Sequence, residues 1–175
     1  MKYTQLENKI DEMKINQHEM EQYERNKNIE INGLDEIRNE STHDVIKKLA
    51  KAFVIEDFKP DTVEKAHRIP NKNKDKTNSF IVQFKNREAR DKWIEAKKKI
   101  VTNDQLLQNG NGRRVFINEH MTPYYRQLFW KTKNHAKENN IKFVWFKNGK
   151  VLTRVSADEK KVVVIRSEND LKQVV

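Results

Sequence analysis

"SFIVQFK", residues 79–85, is the stretch on which the reading of this chain turns. Phe80, Val82 and Phe84 alternate with Ser79, Ile81 and Gln83, the two-residue period of a β-strand with one apolar face. Working downstream, Asn86 can cap a helix over 87–99, with Ala89, Trp93 and Ala96 among its apolar positions. "QNGNG", 108–112, then reads as a loop, and "RRVFIN", 113–118, as another strand. Working upstream, "PNKNKDKTN", 70–78, is a polar, basic loop preceded by a strand "TVEKAHRI", 62–69. Further back, "NIEINGL", 28–34, opens the pattern: Ile29 and Ile31 alternate with polar residues, and Gly33-Leu34 turns the chain out. Between this strand and Pro60, Ser41 with Asp44 forms a capping-box pattern. Val45, Ile46, Leu49, Ala50 and Phe53 then make one helical stripe.

The order is β-α-β-β-α-β, the split βαβ arrangement of ferredoxin-type folds, in which two helices cover one sheet face and leave the other free. RNA-recognition motifs (RRMs) use this topology and stack bases on aromatic residues of the free face. Here the corresponding positions are Glu30, Ser79 and Ile81, none of which carries a ring. Phe80 and Phe84 point to the helix side by alternation and belong to the core. Residues 28–118 thus read as an atypical RRM-like domain, whose hold on nucleic acid should come from phosphate contacts.

A second unit follows over 119–175. Thr122 caps a helix with Pro123 at its first position, and Tyr125, Leu128, Phe129, Thr132 and Ala136 form its buried stripe. "KFVWFKNGKVLTRV", 142–155, is a hairpin about an Asn148-Gly149 turn. "KKVVVIR", 160–166, is a third strand, and Ser167 with Asp170 starts a short last helix. This is a small α-β-β-β-α domain, so the fold class is α+β.

Residues 1–27 differ from both. From 2 to 26 there is no Pro or Gly, and Tyr3, Ile10 and Gln17 stand seven apart, as do Leu6, Met13 and Met20. Taken as a and d positions, they predict three heptads of a coiled coil that associates as a dimer or trimer. The other reading is a single amphipathic helix lying on the body of the protein. Gln17, and Glu24 at the next a position, leave both open.

The 175 residues are 35% hydrophobic and 35% charged, which suits small domains with thin cores and not one large core. The formal net charge is +10. Residues 1–27 hold five Lys/Arg against six Asp/Glu, so the remainder carries +11. A polyanionic partner, single-stranded RNA or DNA, is the natural inference, because each phosphate neutralised releases counterions. The absence of cysteine excludes disulfides, thiolate metal sites and cysteine nucleophiles, and fits a reducing cytoplasmic or nuclear setting. No apolar run reaches membrane-span length, so no membrane contact is expected. The histidines (18, 43, 67, 120 and 135) have no ligand spacing, and four glycines provide no phosphate-binding loop. Neither an enzyme nor a cofactor or metal site is therefore expected.

The layout resembles two related groups. One is the first-reading-frame protein of LINE-type retrotransposons; the other is the few-polyhedra protein of insect baculoviruses. The resemblance rests on "NIEINGL", "KAHRI" and "SFIVQF" at the first three strands. It rests above all on "FINEHMTPYYRQLFWKTKNHAKENNIKFVWFKNGKVLTR" at 116–154. For the first group it implies single-stranded RNA binding, strand-annealing chaperone activity and trimerisation. For the second it implies a role in virion and occlusion-body formation, which would act through other viral or retroelement proteins.

Candidate phosphate-binding residues are His67 and Arg68 on the second strand, and Lys72, Lys74 and Lys76 in the loop after it. Arg113 and Arg114 enter the fourth strand. Arg126 lies on the long helix, Lys147 and Lys150 flank the hairpin turn, and Arg154 follows. Arg68, Arg114 and Arg154 stand out because a strand fixes their direction and a guanidinium grips phosphate bidentately. Tyr124, outside the stripe of its helix, is a candidate for stacking on a base. A cleft between the two domains, with Arg68 and Arg114 across from Arg154 and the 147–150 turn, is the expected binding place.

Overall fold

The computed structural model describes residues 2–174. They fold as a mixed α+β protein that divides into two compact units, Lys27–His120 and a second one built from the residues up to Asn26 together with those from Met121 on. The chain begins with a 24-residue helix, α1 (Lys2–Arg25).

The Lys27–His120 unit contains β1 (Asn28–Asn32), α2 (Thr42–Ala52), β2 (Val63–Ile69), β3 (Ser79–Phe84), α3 (Arg87–Ala96), β4 (Val101–Thr102), α4 (Asn103–Leu106) and β5 (Arg114–Glu119). The strands form one antiparallel sheet in the order β2-β3-β1-β5-β4. Ile29 and Ile31 of β1 and Phe80, Val82 and Phe84 of β3 turn to the same side. There they pack with Val45, Ile46, Leu49, Ala50 and Phe53 of α2 and its C-cap, and with Trp93 of α3. Both helices start where the caps predict: Ser41 Oγ accepts from the Asp44 amide and Asn86 Oδ1 from the Ala89 amide.

The region after α3 departs from the sequence reading, which ran that helix to residue 99 and placed no further elements before the fourth strand. The helix ends at Ala96, and Val101, fully buried, pairs with Val115 as a two-residue edge strand. The short helix α4 follows. Its first residue, Asn103, is buried and fastens three segments: Oδ1 accepts from the Asp35 amide at 2.9 Å, and Nδ2 donates to the carbonyls of Gly33 at 2.8 Å and Arg113 at 3.3 Å. Gly33 itself has φ +80°, and a Cβ there would stand 2.5 Å from the Arg114 carbonyl oxygen, so the exit from β1 requires glycine.

The second unit contains α5 (Pro123–Glu138), β6 (Phe143–Lys147), β7 (Lys150–Arg154), β8 (Val163–Ile165) and α6 (Glu168–Leu171), with an antiparallel sheet β6-β7-β8. Thr122 Oγ1 caps α5 by accepting from the Tyr125 amide, and Asn148 and Gly149, both at positive φ, make the hairpin turn. Tyr125, Leu128 and Ala136 of α5 pack on Val151 and Ile165 of the sheet and on Leu171 and Val174.

The C-terminal half of α1 is built into this unit. The Gln22 side chain is buried; its Oε1 accepts from the Thr122 amide at 2.9 Å, and its Nε2 donates to Asn26 Oδ1 at 3.2 Å. His18 stacks face to face on Tyr124, with ring centroids 3.7 Å apart and 7° between planes. Glu19 receives two hydrogen bonds from Arg166. His18, Glu19 and Gln22 thus form the docked face, and Ile15 and Arg25 on the same side of the helix are half-buried. Tyr3, Leu6, Ile10, Met13, Gln17 and Met20 lie on the other side of the helix, exposed to solvent.

Candidate nucleic-acid interface

In the Lys27–His120 unit, the sheet face away from the helices carries Lys65, His67 and Ile69 of β2, Ser79, Ile81 and Gln83 of β3, and Glu30 and Asn32 of β1. Arg114, Phe116 and Asn118 of β5 complete it. Glu30 and Ile81, at two of the three positions where an RNA-recognition motif carries its rings, are 5% and 1% exposed. They offer no surface to a base, which is a firmer reason than their lack of a ring. His67 is exposed on β2.

The loop 70–78 has an ordered framework. Asn71 Oδ1 accepts from the Asn73 amide, Asn73 Oδ1 from the Asp75 amide, and Asn78 Oδ1 from the Asn71 amide. These Asx turns alternate with Lys72, Lys74 and Lys76, all of which are exposed. The alternation of Asn with Lys in "NKNK" is therefore a folding pattern: the asparagine side chains bind backbone, and the lysines, with Asp75 among them, are left outside.

Arg113 pairs with Asp35, whose other carboxylate oxygen accepts from Asn111 Nδ2 at 2.8 Å. Arg114 is exposed, its guanidinium 5.0 Å from the ring centroid of Phe116. Phe116 was not among the residues singled out from the sequence. The signal was present: in "RRVFIN", Val115 and Ile117 face the core, so alternation sends Arg114 and Phe116 outward.

Arg68 requires a correction. It lies on the helix side of β2 and is only 14% exposed at its side chain. All its guanidinium nitrogens are engaged. Nε and Nη2 grip the Glu40 carboxylate at 2.7 and 3.0 Å, Nη1 donates to the carbonyls of Leu34 and Asn78, and Nη2 also to that of Asp35. It clamps the loop after β1 to the loop before β3 and has no donor left for phosphate.

In the second unit, Tyr124 is likewise occupied. Its ring is covered by His18 and its hydroxyl donates to the Arg166 carbonyl at 2.9 Å. Burial, then the carboxylates of Glu168 and Asp170, push its pKa up. Arg126 is exposed on α5. Lys147 and Lys150 are paired opposite each other beside the turn, both exposed. Arg154 pairs across strands with Phe143, its guanidinium 4.7 Å from that ring's centroid. Each of the two remaining strand arginines thus lies against a phenylalanine that is partly open to solvent.

Together these features define a two-unit α+β protein whose sheets and turns display lysines and arginines around exposed aromatic rings. The family model for Baculovirus FP protein domain 1 matches residues 26–117, and that for Baculovirus FP protein domain 2 matches residues 122–175. The chain belongs to the baculovirus FP, or few-polyhedra, protein family. The gap between the two matches falls at His120–Met121, where the compact units divide. No curated protein matches the chain.

Proposed function

We propose that this chain binds single-stranded nucleic acid, RNA or DNA, and anneals or packages it for an insect-type virus or retroelement. It does so chiefly through phosphate contacts from basic loops, in an RRM-like first unit and in the second unit. The observation that carries this reading is the display at the sheet edge of the first unit. Lys72, Lys74 and Lys76 stand out from a loop whose asparagine side chains are consumed by its own backbone, and a charge excess of +11 over residues 28–175 backs them. Arg114, Arg126, Lys147, Lys150 and Arg154 extend the set.

Self-association through α1 belongs to the same reading. The apolar a and d residues face away from the docked side of the helix, which leaves them for a second copy in a coiled coil. Many weak contacts multiplied by oligomerisation give tight yet exchangeable binding, which annealing needs.

The second reading is a viral structural or trafficking protein acting through protein partners, and the same exposed α1 stripe favours it. Titration of a single-stranded RNA oligonucleotide at increasing salt separates the two. Salt-sensitive affinity supports nucleic-acid binding; no affinity even at low salt supports the protein-partner role.

A further inference from the structure

A row of side chains crosses the sheet face away from the helices of the Lys27–His120 unit, at the end where β2 and β3 are joined. Ile69 pairs with Ser79. Ser79 Oγ accepts from Asn32 Nδ2 at 2.9 Å, and Asn32 pairs with Phe116. Asn32 Oδ1 in turn accepts from Asn118 Nδ2 at 2.8 Å, on the same face of β5 as Phe116. Three inter-strand steps give the row a length of about 14 Å. Its ends are apolar and exposed, Ile69 at 38% and Phe116 at 45%. Its middle is a hydrogen-bonded chain of hydroxyl and carboxamide groups. Basic residues bracket it: the lysines of loop 70–78 connect Ile69 to Ser79, and Arg114 stands over the Phe116 ring.

We propose that Phe116 is a base-stacking site for a single strand, with Arg114 taking the phosphate of the stacked nucleotide and the Asn118–Asn32–Ser79 chain meeting the edge of its neighbour. The exposed part of the Phe116 ring loses water contact when a flat partner covers it, which favours stacking there. A protein partner would also cover it, but cations at both ends of a polar row suit a polyanion with planar bases. The Ser79 hydroxyl can still donate and the Asn118 carboxamide oxygen can still accept, the complement that a base edge presents. The stacking surface is thus on β5, and Glu30 and Ile81 take no part.

This inference rests on the single-strand binding proposed above, and the test separates their failures. The full chain is titrated with a single-stranded RNA oligonucleotide and with a strand of the same length carrying abasic sites throughout. Phe116→Leu keeps the apolar bulk and removes the ring; Phe116→Trp keeps a ring. Thermal melts confirm that each variant is folded. Phe116→Leu is expected to weaken binding of the normal strand about 5- to 150-fold. It should leave the abasic strand and the salt slope unchanged, while Phe116→Trp retains affinity. Equal affinity of folded Phe116→Leu and the unaltered chain for the normal strand overturns the stacking site and leaves the phosphate reading standing. Absence of binding by the unaltered chain at low salt overturns both.

Discussion

Val54 sits at φ +54°, a left-handed conformation that β-branched residues adopt at a cost of about 1–2 kcal/mol. Its surroundings explain why. The Val54 amide donates to the Lys51 carbonyl and the Ile55 amide to that of Ala50, the two bonds of a Schellman motif closing α2. The position after such a cap usually holds glycine. Val54→Gly, at a side chain 59% exposed, should therefore raise stability by about 1 kcal/mol even after the extra freedom of glycine in the unfolded chain. A urea titration showing no gain would contradict this reading. Arg68 gives the opposite expectation. Arg68→Ala leaves the Glu40 carboxylate and three carbonyls without their donor, and should lower stability by about 3–5 kcal/mol. A variant that melts like the parent but binds nucleic acid poorly would return Arg68 to the phosphate-binding set. Tyr125 adds a pH dependence. Burial, then the nearby Glu19 carboxylate and Tyr124, raise its pKa from 10.0 to about 12. Its contribution is complete below pH 10, where both states are protonated. It is lost between pH 10 and 12, where only the unfolded chain ionises, at a slope of about 1.4 kcal/mol per pH unit. Tyr125→Phe should flatten that decline in alkaline melts.

At the scale of elements, α1 has two contrasting faces. Residues before Ile15 contribute the exposed apolar positions Tyr3, Leu6, Ile10 and Met13, whereas the last turns dock on the second unit. Removal of residues 1–13 should abolish self-association, read as mass by light scattering, and leave the thermal melt nearly intact. Removal of 1–26 should also destabilise the second unit, because the buried Thr122 amide loses its acceptor in Gln22 at a cost of about 1–3 kcal/mol. Equal mass before and after the shorter truncation would contradict the a/d assignment. The contrast between these faces was half legible in the sequence. The heptads of apolar residues are a periodic signal; the docked face works through His18, Glu19 and Gln22, whose stacking and hydrogen bonds leave no periodic trace. The same contrast runs through the fold. β1, β3, α2 and the 142–155 hairpin announced themselves by alternation, caps and the Asn-Gly turn. A two-residue strand at Val101–Thr102 is too short to alternate, and a single buried asparagine, Asn103, looks like any loop residue. In the candidate site, the loop lysines followed from composition. The inward direction of Arg68 follows from its parity with Ala66, opposite Val82, which charge alone conceals.

For the whole molecule, net charge and the exposed lysines of loop 70–78 are the grounds for proposing a polyanionic partner, and the family match places the chain among baculovirus FP proteins. The central claim is that phosphate contacts supply most of the affinity for a single strand, with stacking at Phe116 as a local addition. The most direct measurement is the affinity of the full chain for a single-stranded RNA oligonucleotide over a series of salt concentrations. The account predicts that log affinity falls linearly with log salt, by about 0.7 for each phosphate engaged, and that replacing Lys72, Lys74 and Lys76 together by alanine makes the slope shallower. An affinity that does not change with salt, or no binding at low salt, would contradict it.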